Sequence, residues 1–342
     1  MSHEYRNQLD IKNNEKINEL LIDMPIFIED FHTHLVSKNC STNTILGYFY
    51  EINMFLRFMK TILRKDSIME IEATDLDKIN TITVEKYLAK SENGLDLSAS
   101  AKRRKLSVIK HLYNYYFTAH IINTNPVINV TGAKLNSHEV ITLSDAQVKN
   151  LLHCIRNQEG VSAHSKKYNE RLVARDTAIM MVLLGTGMRI SELIGLNISD
   201  FDLSDTERPC FHIVRKGGDD DIVYFVKPVH DAVIDYMETR PLLSPGEKEN
   251  ALFIGTTGKR LTPDAVQKML KKYCKVAKLP DNISPHKARA TFASTVYKNT
   301  KDLYAVRDAL HHKSIETSRH YISDKKERME MAANAAQSLF VK

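Results

Sequence analysis

Cysteine is scarce in this chain: Cys40, Cys154, Cys210 and Cys274 stand far apart in 342 residues, and no two form a C-x-x-C pair. That spacing argues against a zinc ribbon and a redox dithiol, and four scattered thiols read as the reduced filler of an intracellular protein. The sequence also lacks a signal-peptide pattern and any apolar run long enough to span a bilayer, so a cytoplasmic protein with no membrane partner is expected. Internal repeats and low-complexity tracts are missing as well. Excess charge is small: 48 Lys and Arg against 42 Asp and Glu give a net +6. This suits a polyanionic partner without requiring one. What remains is ordinary globular material, 43% hydrophobic and 26% charged, long enough for two cores rather than one.

Apolar residues at three- and four-residue steps, Ile26, Phe27, Phe31 and Leu35, then Ile45, Tyr48, Phe49, Ile52, Phe55, Leu56 and Met59, predict amphipathic helices between Met24 and Lys60. The break at 39–44 supplies Ser41 or Thr42 as a helix cap. Further helices are expected near Thr83–Lys90 and from about Ser98 to Ala119, the latter with Leu106, Ile109, Leu112, Tyr113 and Tyr116 on one face. Residues 24–124 thus read as a small helical domain preceded by an N-terminal extension, 1–23. Turn formers from Asn125-Pro126 onward make 125–140 a linker. The second domain, 141–342, opens with a helix start at Thr142-Leu143-Ser144-Asp145. Within it, Cys210–Val214 and Ile222–Val226 flank a Gly217-Gly218-Asp219 turn, predicting a hairpin or small sheet. The expected fold class is mainly α with a minor β element, in two domains.

Three segments carry chemistry. In Leu184-Gly-Thr-Gly-Met-Arg-Ile-Ser-Glu-Leu193 the glycines suit a turn into a new helix whose first turn presents Arg189 and, three residues on, Glu192. A guanidinium at a glycine-rich helix entry suits a phosphate; the plain alternative is a helix cap with a surface ion pair. In Ser284-Pro-His-Lys-Ala-Arg-Ala-Thr-Phe292, Pro285 suits a helix N-terminus and His286 and Arg289 fall on one face, a proton-transfer group beside a fixed charge. With no carboxylate or histidine at i+4, a metal site is not expected. The third is Leu310-His-His-Lys-Ser-Ile-Glu-Thr-Ser-Arg-His-Tyr321, where His312 precedes Tyr321 by nine residues. Separately, Lys102, Arg103, Arg104, Lys105 and Lys110 lie between Ser98 and His120 with no acid among them. Such an excess neutralises phosphates, or is merely a solvated helix face.

In their order and spacing these motifs resemble those of the tyrosine recombinase or phage integrase family, from about Met24 to the end of the chain. The resemblance implies a helical core-binding domain and a catalytic domain that close as a C-shaped clamp around duplex DNA. It also implies a reaction through a 3′-phosphotyrosine, with Tyr321 as nucleophile, Arg189 and Arg289 gripping the phosphate, and Lys216, in Val214-Arg-Lys-Gly217, as general acid. His286 would assist proton transfer, His312 would bond the phosphate and Glu192 would orient its neighbours. Neither metal nor ATP is expected. Thr42, Thr44, Tyr48, Lys287 and Lys313 join the cations of 102–105 as candidate DNA contacts, and a C-terminal helix exchanged between protomers implies a tetramer on synapsed DNA.

Three positions depart from the family pattern. The usual Leu-Gly-His reads Leu310-His311-His312, and spacing favours His312 over His311. Ala288 replaces the usual leucine of H-x-L-R. The residues after Lys216 are acidic, Asp219-Asp220-Asp221, which leaves Lys227 and Lys259 as alternative lysines. Integration and excision of a mobile element is the first expectation for function; dimer resolution of the Xer type, a type IB topoisomerase-like enzyme and a non-catalytic DNA-binding module are the alternatives.

Overall fold

A computed structural model of the chain describes residues 2–90, 93–134, 141–159, 163–202, 204–205, 207–215, 218–242, 249–312 and 314–316. These residues are mainly helical with one three-stranded antiparallel sheet. They divide into two units, Asn7–Ser137 and Met1–Arg6 with His138–Lys342.

The first unit is built from α1 (His3–Ile22, beyond its first residues), α2 (Phe27–Ser37), α3 (Thr42–Leu63), α4 (Thr81–Ala89) and α5 (Ala99–Thr118). Ser41 caps α3 by accepting the Thr44 N–H at 3.3 Å, and Asn80 caps α4 through the Thr83 N–H at 2.9 Å, two residues ahead of the expected start. The apolar stripes read from the sequence form the core: Phe31, Phe49, Phe55, Leu56, Leu112, Tyr113 and Tyr116 are all fully buried. Burying each such aromatic stabilises the unit by about 1.5–3 kcal/mol relative to exposure. Helix α1 was not anticipated. It is polar along most of its length, yet Ile17 is buried in this core and Leu20 and Leu21 pack beside it, so the stretch read as an extension is folded.

The second unit contains α6 (Asp145–Arg156), α7 (Ala163–Thr186), α8 (Ile190–Ile194), β1 (Phe201–Asp202), β2 (Cys210–Val214), β3 (Asp220–Tyr224), α9 (Lys227–Thr239), α10 (Pro263–Val276), α11 (Pro285–Thr300) and α12 (Leu303–Leu310). Ser144 and Gln147 form a reciprocal capping box at α6, as Thr142–Asp145 suggested. Strand β2 falls where predicted, but β3 lies two residues earlier than the apolar run Ile222–Val226. The turn sets this register: Arg215 N–H donates to the Asp219 carbonyl at 2.8 Å, so pairing resumes with Val214 opposite Asp220. Strand β1 adds an edge through Phe201 opposite Phe211. The main core gathers Leu183, Phe211, Phe225, Tyr236, Phe253 and Leu270, while a small seam of Ala290, Ala293, Val306 and Leu310 joins α11 to α12. Residues 2–6 also belong here: Ser2 N–H donates to the Gly195 carbonyl at 2.8 Å and Tyr5 lies under the Arg260 guanidinium.

Candidate active site

Helix α7 ends at Thr186, and Gly187, with a φ of 62°, turns the chain toward α8. Arg189 then sits one residue before α8 as its N-cap rather than inside its first turn. Glu192 accepts the Arg189 N–H and its guanidinium, both at 2.9 Å. A second cation, Arg215, donates at 3.0 Å to Oε2, the oxygen that also accepts the Arg189 N–H. Burial pushes the Glu192 carboxyl up, but the charge of Arg215 and the hydrogen bonds and charge of Arg189 outweigh it and hold the group below its ordinary range. Glu192 is therefore ionised at neutral pH, and it aims Arg189 while leaving that side chain 40% exposed.

Pro285 is the first residue of α11, as its type suggested, and one turn on Arg289 is almost wholly buried. Its fork donates to the Gly187 carbonyl at 2.5 Å and the Leu310 carbonyl at 2.8 Å. Arg289 thus joins the ends of α7 and α12. His312 Nε2 lies 3.3 Å from Arg289 Nη2. A guanidinium has no acceptor, so Nε2 accepts and the neutral ring carries its proton on Nδ1. Burial, then the charges of Arg289 and Arg189, lower His312 to about 4. The same causes lower His286, which is exposed on the first turn of α11. Arg189, His286, Arg289 and His312 are thus brought within electrostatic reach of one another.

The two neighbouring histidines have different partners. Helix α12 closes with the His312 N–H on the Arg307 carbonyl and the His311 N–H on the Asp308 carbonyl, with His311 in the left-handed region at φ 50°. That turn directs His312 to Arg289 and His311 to Asp221, whose Oδ2 is 2.6 Å from His311 Nδ1. Sequence reasoning missed Arg215 and Asp221. The signal available was an arginine immediately before Lys216 with balancing acids after it. Lys216, Lys313 and Tyr321 lie outside the described residues. Lys287 is half-buried on α11; Lys227 pairs with Asp231 at 2.8 Å.

In the first unit, Tyr48 of α3 and His111 of α5 meet ring to ring at 5.4 Å, which brings the two candidate DNA-facing helices together. Thr42 turns its hydroxyl to α1, donating to Asp10 at 2.5 Å and accepting from Asn13 at 3.1 Å, and Thr44 contacts Ser41. Lys105 corrects the sequence reading. It is 6% exposed, its ammonium 3.0 Å from the Tyr87 hydroxyl and 3.8 Å from buried Glu51, so it is a core cation and not a duplex contact. Arg104 pairs with the same Glu51 from the surface, Arg103 donates to the Ala133 carbonyl, and Lys102 is half-buried.

Among the described residues, Asp202, Cys210 and His212 form one group with metal-ligand atoms in reach of each other. Burial and the nearby Asp202 and Asp205 raise the Cys210 thiol, the reverse of what a thiolate ligand needs. The four cysteines are free, and no described helix is long and apolar enough to cross a membrane.

The profile of the phage integrase family matches residues 141–328, and that of the phage integrase N-terminal SAM-like domain matches residues 28–120. Tyrosine recombinase XerD of Corynebacterium glutamicum is 31% identical over 299 residues, 84% of this chain and 90% of that protein. Tyrosine recombinase XerC of Alcanivorax borkumensis is 29% identical over 86% of this chain and 88% of its own. Among solved structures, the XerH site-specific recombinase bound to palindromic difH substrate covers 86% of this chain and 80% of its own at a TM-score of 0.67 and 22% identity. A lambda integrase dimer bound to a COC′ core site covers 87% and 95% at a TM-score of 0.60 and 16% identity. Both share the fold. With a family profile spanning more than half the chain and relatives aligned over most of both lengths, the protein belongs to the phage integrase family and is a tyrosine site-specific recombinase.

Proposed function

We propose that Tyr321 cleaves duplex DNA by attacking a backbone phosphate, expelling the 5′ oxygen and leaving a 3′-phosphotyrosine. The observation that carries the assignment of roles is the convergence of Arg189, Arg289, His286 and His312, with both histidines held below their ordinary range by burial and then by the charges of the two arginines. Both rings are then neutral at physiological pH. Arg189, aimed by Glu192, and Arg289, anchored by two carbonyls, offset charge on the five-coordinate phosphorus, the task metal ions perform elsewhere. His312 offers Nδ1–H to a phosphate oxygen and His286 assists proton transfer. A tyrosine with an ordinary pKa of about 10 needs that cationic field to ionise near neutrality. Lys216 protonates the leaving oxygen. One phosphoester replaces another, so rejoining needs no ATP.

Duplex DNA lies against α3 and α5 of the first unit through Thr44, Tyr48, Lys102, Arg103 and Arg104, with Lys287 and Lys313 adding phosphate contacts in the second. Four protomers synapse two sites by exchanging the segment that follows Tyr321, which lies outside the described residues. Integration and excision of a mobile element is one use of this chemistry. A second reading, resolution of chromosome or plasmid dimers, is favoured by likeness over most of both chains to proteins named XerC and XerD. Covalent trapping on suicide duplexes from candidate attachment and dimer-resolution sites separates the two. On the duplex that is trapped, Tyr321→Phe is expected to form no adduct; adducts with that variant would overturn the nucleophile.

A further inference from the structure

Acid in the hairpin is out of place beside a phosphate, and the structure gives Asp221 of β3 an occupation. Asp221 Oδ2 lies 2.6 Å from His311 Nδ1 and accepts from Arg215 Nε at 2.8 Å. Arg215 reaches Glu192 at 3.0 Å, and Glu192 holds Arg189 at 2.9 Å. The Arg215 and Glu192 side chains are 11% and 4% exposed, so solvent screens the middle of this relay little, while its ends, Arg189 and His311, are partly open. It runs unbroken from the entry of α8, through the arms of the β2–β3 hairpin, to the end of α12. His311 is its last member. It occupies a left-handed position, φ 50° and ψ 48°, at a helix terminus where glycine fits with least strain. A side chain placed there against the backbone preference, and aimed at a carboxylate on another element, is a tether.

We propose that His311 is a positioning residue for strand cleavage: by holding Asp221, and Arg215 through it, it fixes the hairpin arm whose next residue in the chain is Lys216. The inference rests on the reading of Lys216 as general acid. His311 touches neither DNA nor the reacting atoms in this scheme. Its loss frees the arm, Lys216 delivers its proton less often, and the 5′ oxygen leaves more slowly, while the arginines keep their grip on the phosphate.

Leaving-group chemistry provides the test. A duplex with sulfur in place of the scissile 5′ oxygen expels a thiolate, which needs no proton because a thiol ionises near pH 8.5, about the ordinary cysteine value. Single-turnover cleavage by the full-length protein is measured on oxygen and sulfur duplexes for wild type, Lys216→Ala, His311→Gly, Asp221→Asn and the double variant of the last two. Glycine suits the backbone at 311 and asparagine is isosteric at 221, so both variants keep the fold. The expected result is that His311→Gly and Asp221→Asn are each about tenfold slower on oxygen and within about twofold of wild type on sulfur, with the double variant no slower than either single. Equal slowing on both duplexes, no slowing, or additive losses would overturn the positioning role. Failure of sulfur to restore Lys216→Ala would instead overturn the general-acid reading, whatever the His311 variants do.

Discussion

A methyl group at Gly187 would stand 2.4 Å from Phe292 Cδ1 and 2.8 Å from Leu310 Cδ2, on a backbone with φ of 62°. The Gly187 carbonyl also holds Arg289. Gly187→Ala is therefore expected to destabilise the protein by about 2–4 kcal/mol, combining left-handed strain with overpacking, and to slow cleavage as Arg289 shifts. Denaturant unfolding and single-turnover cleavage check the two effects. His312 gives stability a pH dependence. Its folded pKa, about 4, is below the ordinary 6.5, so between those values the unfolded chain binds more protons. Stability must then fall as pH drops from 6.5 and level off below 4. In unfolding experiments across that range, His312→Gln should show a shallower slope than wild type; identical slopes would mean His312 titrates normally. That Arg189, Glu192, His286, Arg289 and His312 lie near one another was legible because fixed order and spacing constrain them together. The tie between His311 and Asp221 was not, since the two positions are ninety residues apart in sequence.

Within α5, two lysines three residues apart have different surroundings. Lys102 is half-buried, whereas Lys105 is enclosed with Glu51 and Tyr87. Lys102→Ala should weaken duplex binding and reduce the slope of log affinity against log salt by about 1. Lys105→Met should leave that slope unchanged and destabilise the first unit by about 3 kcal/mol, because Glu51 loses one of two cations around a buried charge. Salt-titrated binding and denaturant unfolding distinguish the pair. Counting charges along the helix could not make this distinction, since burial of Lys105 is set by a carboxylate on α3. Elements with strong periods, α3 and α5 above all, were readable from spacing. Strand β1 was not, because two residues carry no period, and β3 slid within a continuous apolar run whose phase only the turn fixes. Helix α1 was hidden by its polarity.

For the assembled molecule, the prediction concerns the segment after Tyr321. Removing residues beyond Ala333 should leave adduct formation on a single site intact and abolish cooperative synapsis of two, measured by sedimentation of protein–DNA complexes. Unchanged synapsis would assign the tail to its own protomer. The division into two units was legible in the loss of periodicity after Asn125. The assignment of residues 2–6 to the second unit was not, because their anchors, Gly195, Arg215 and Arg260, are scattered along it. The His311–Asp221 contact also bears on descent. A histidine strained at a helix end and an acid at the start of a hairpin strand are each a poor choice without the other. Among relatives the two positions should therefore change as a pair, and a hairpin transplanted from a recombinase with glycine at the first position should work only if position 311 is changed with it.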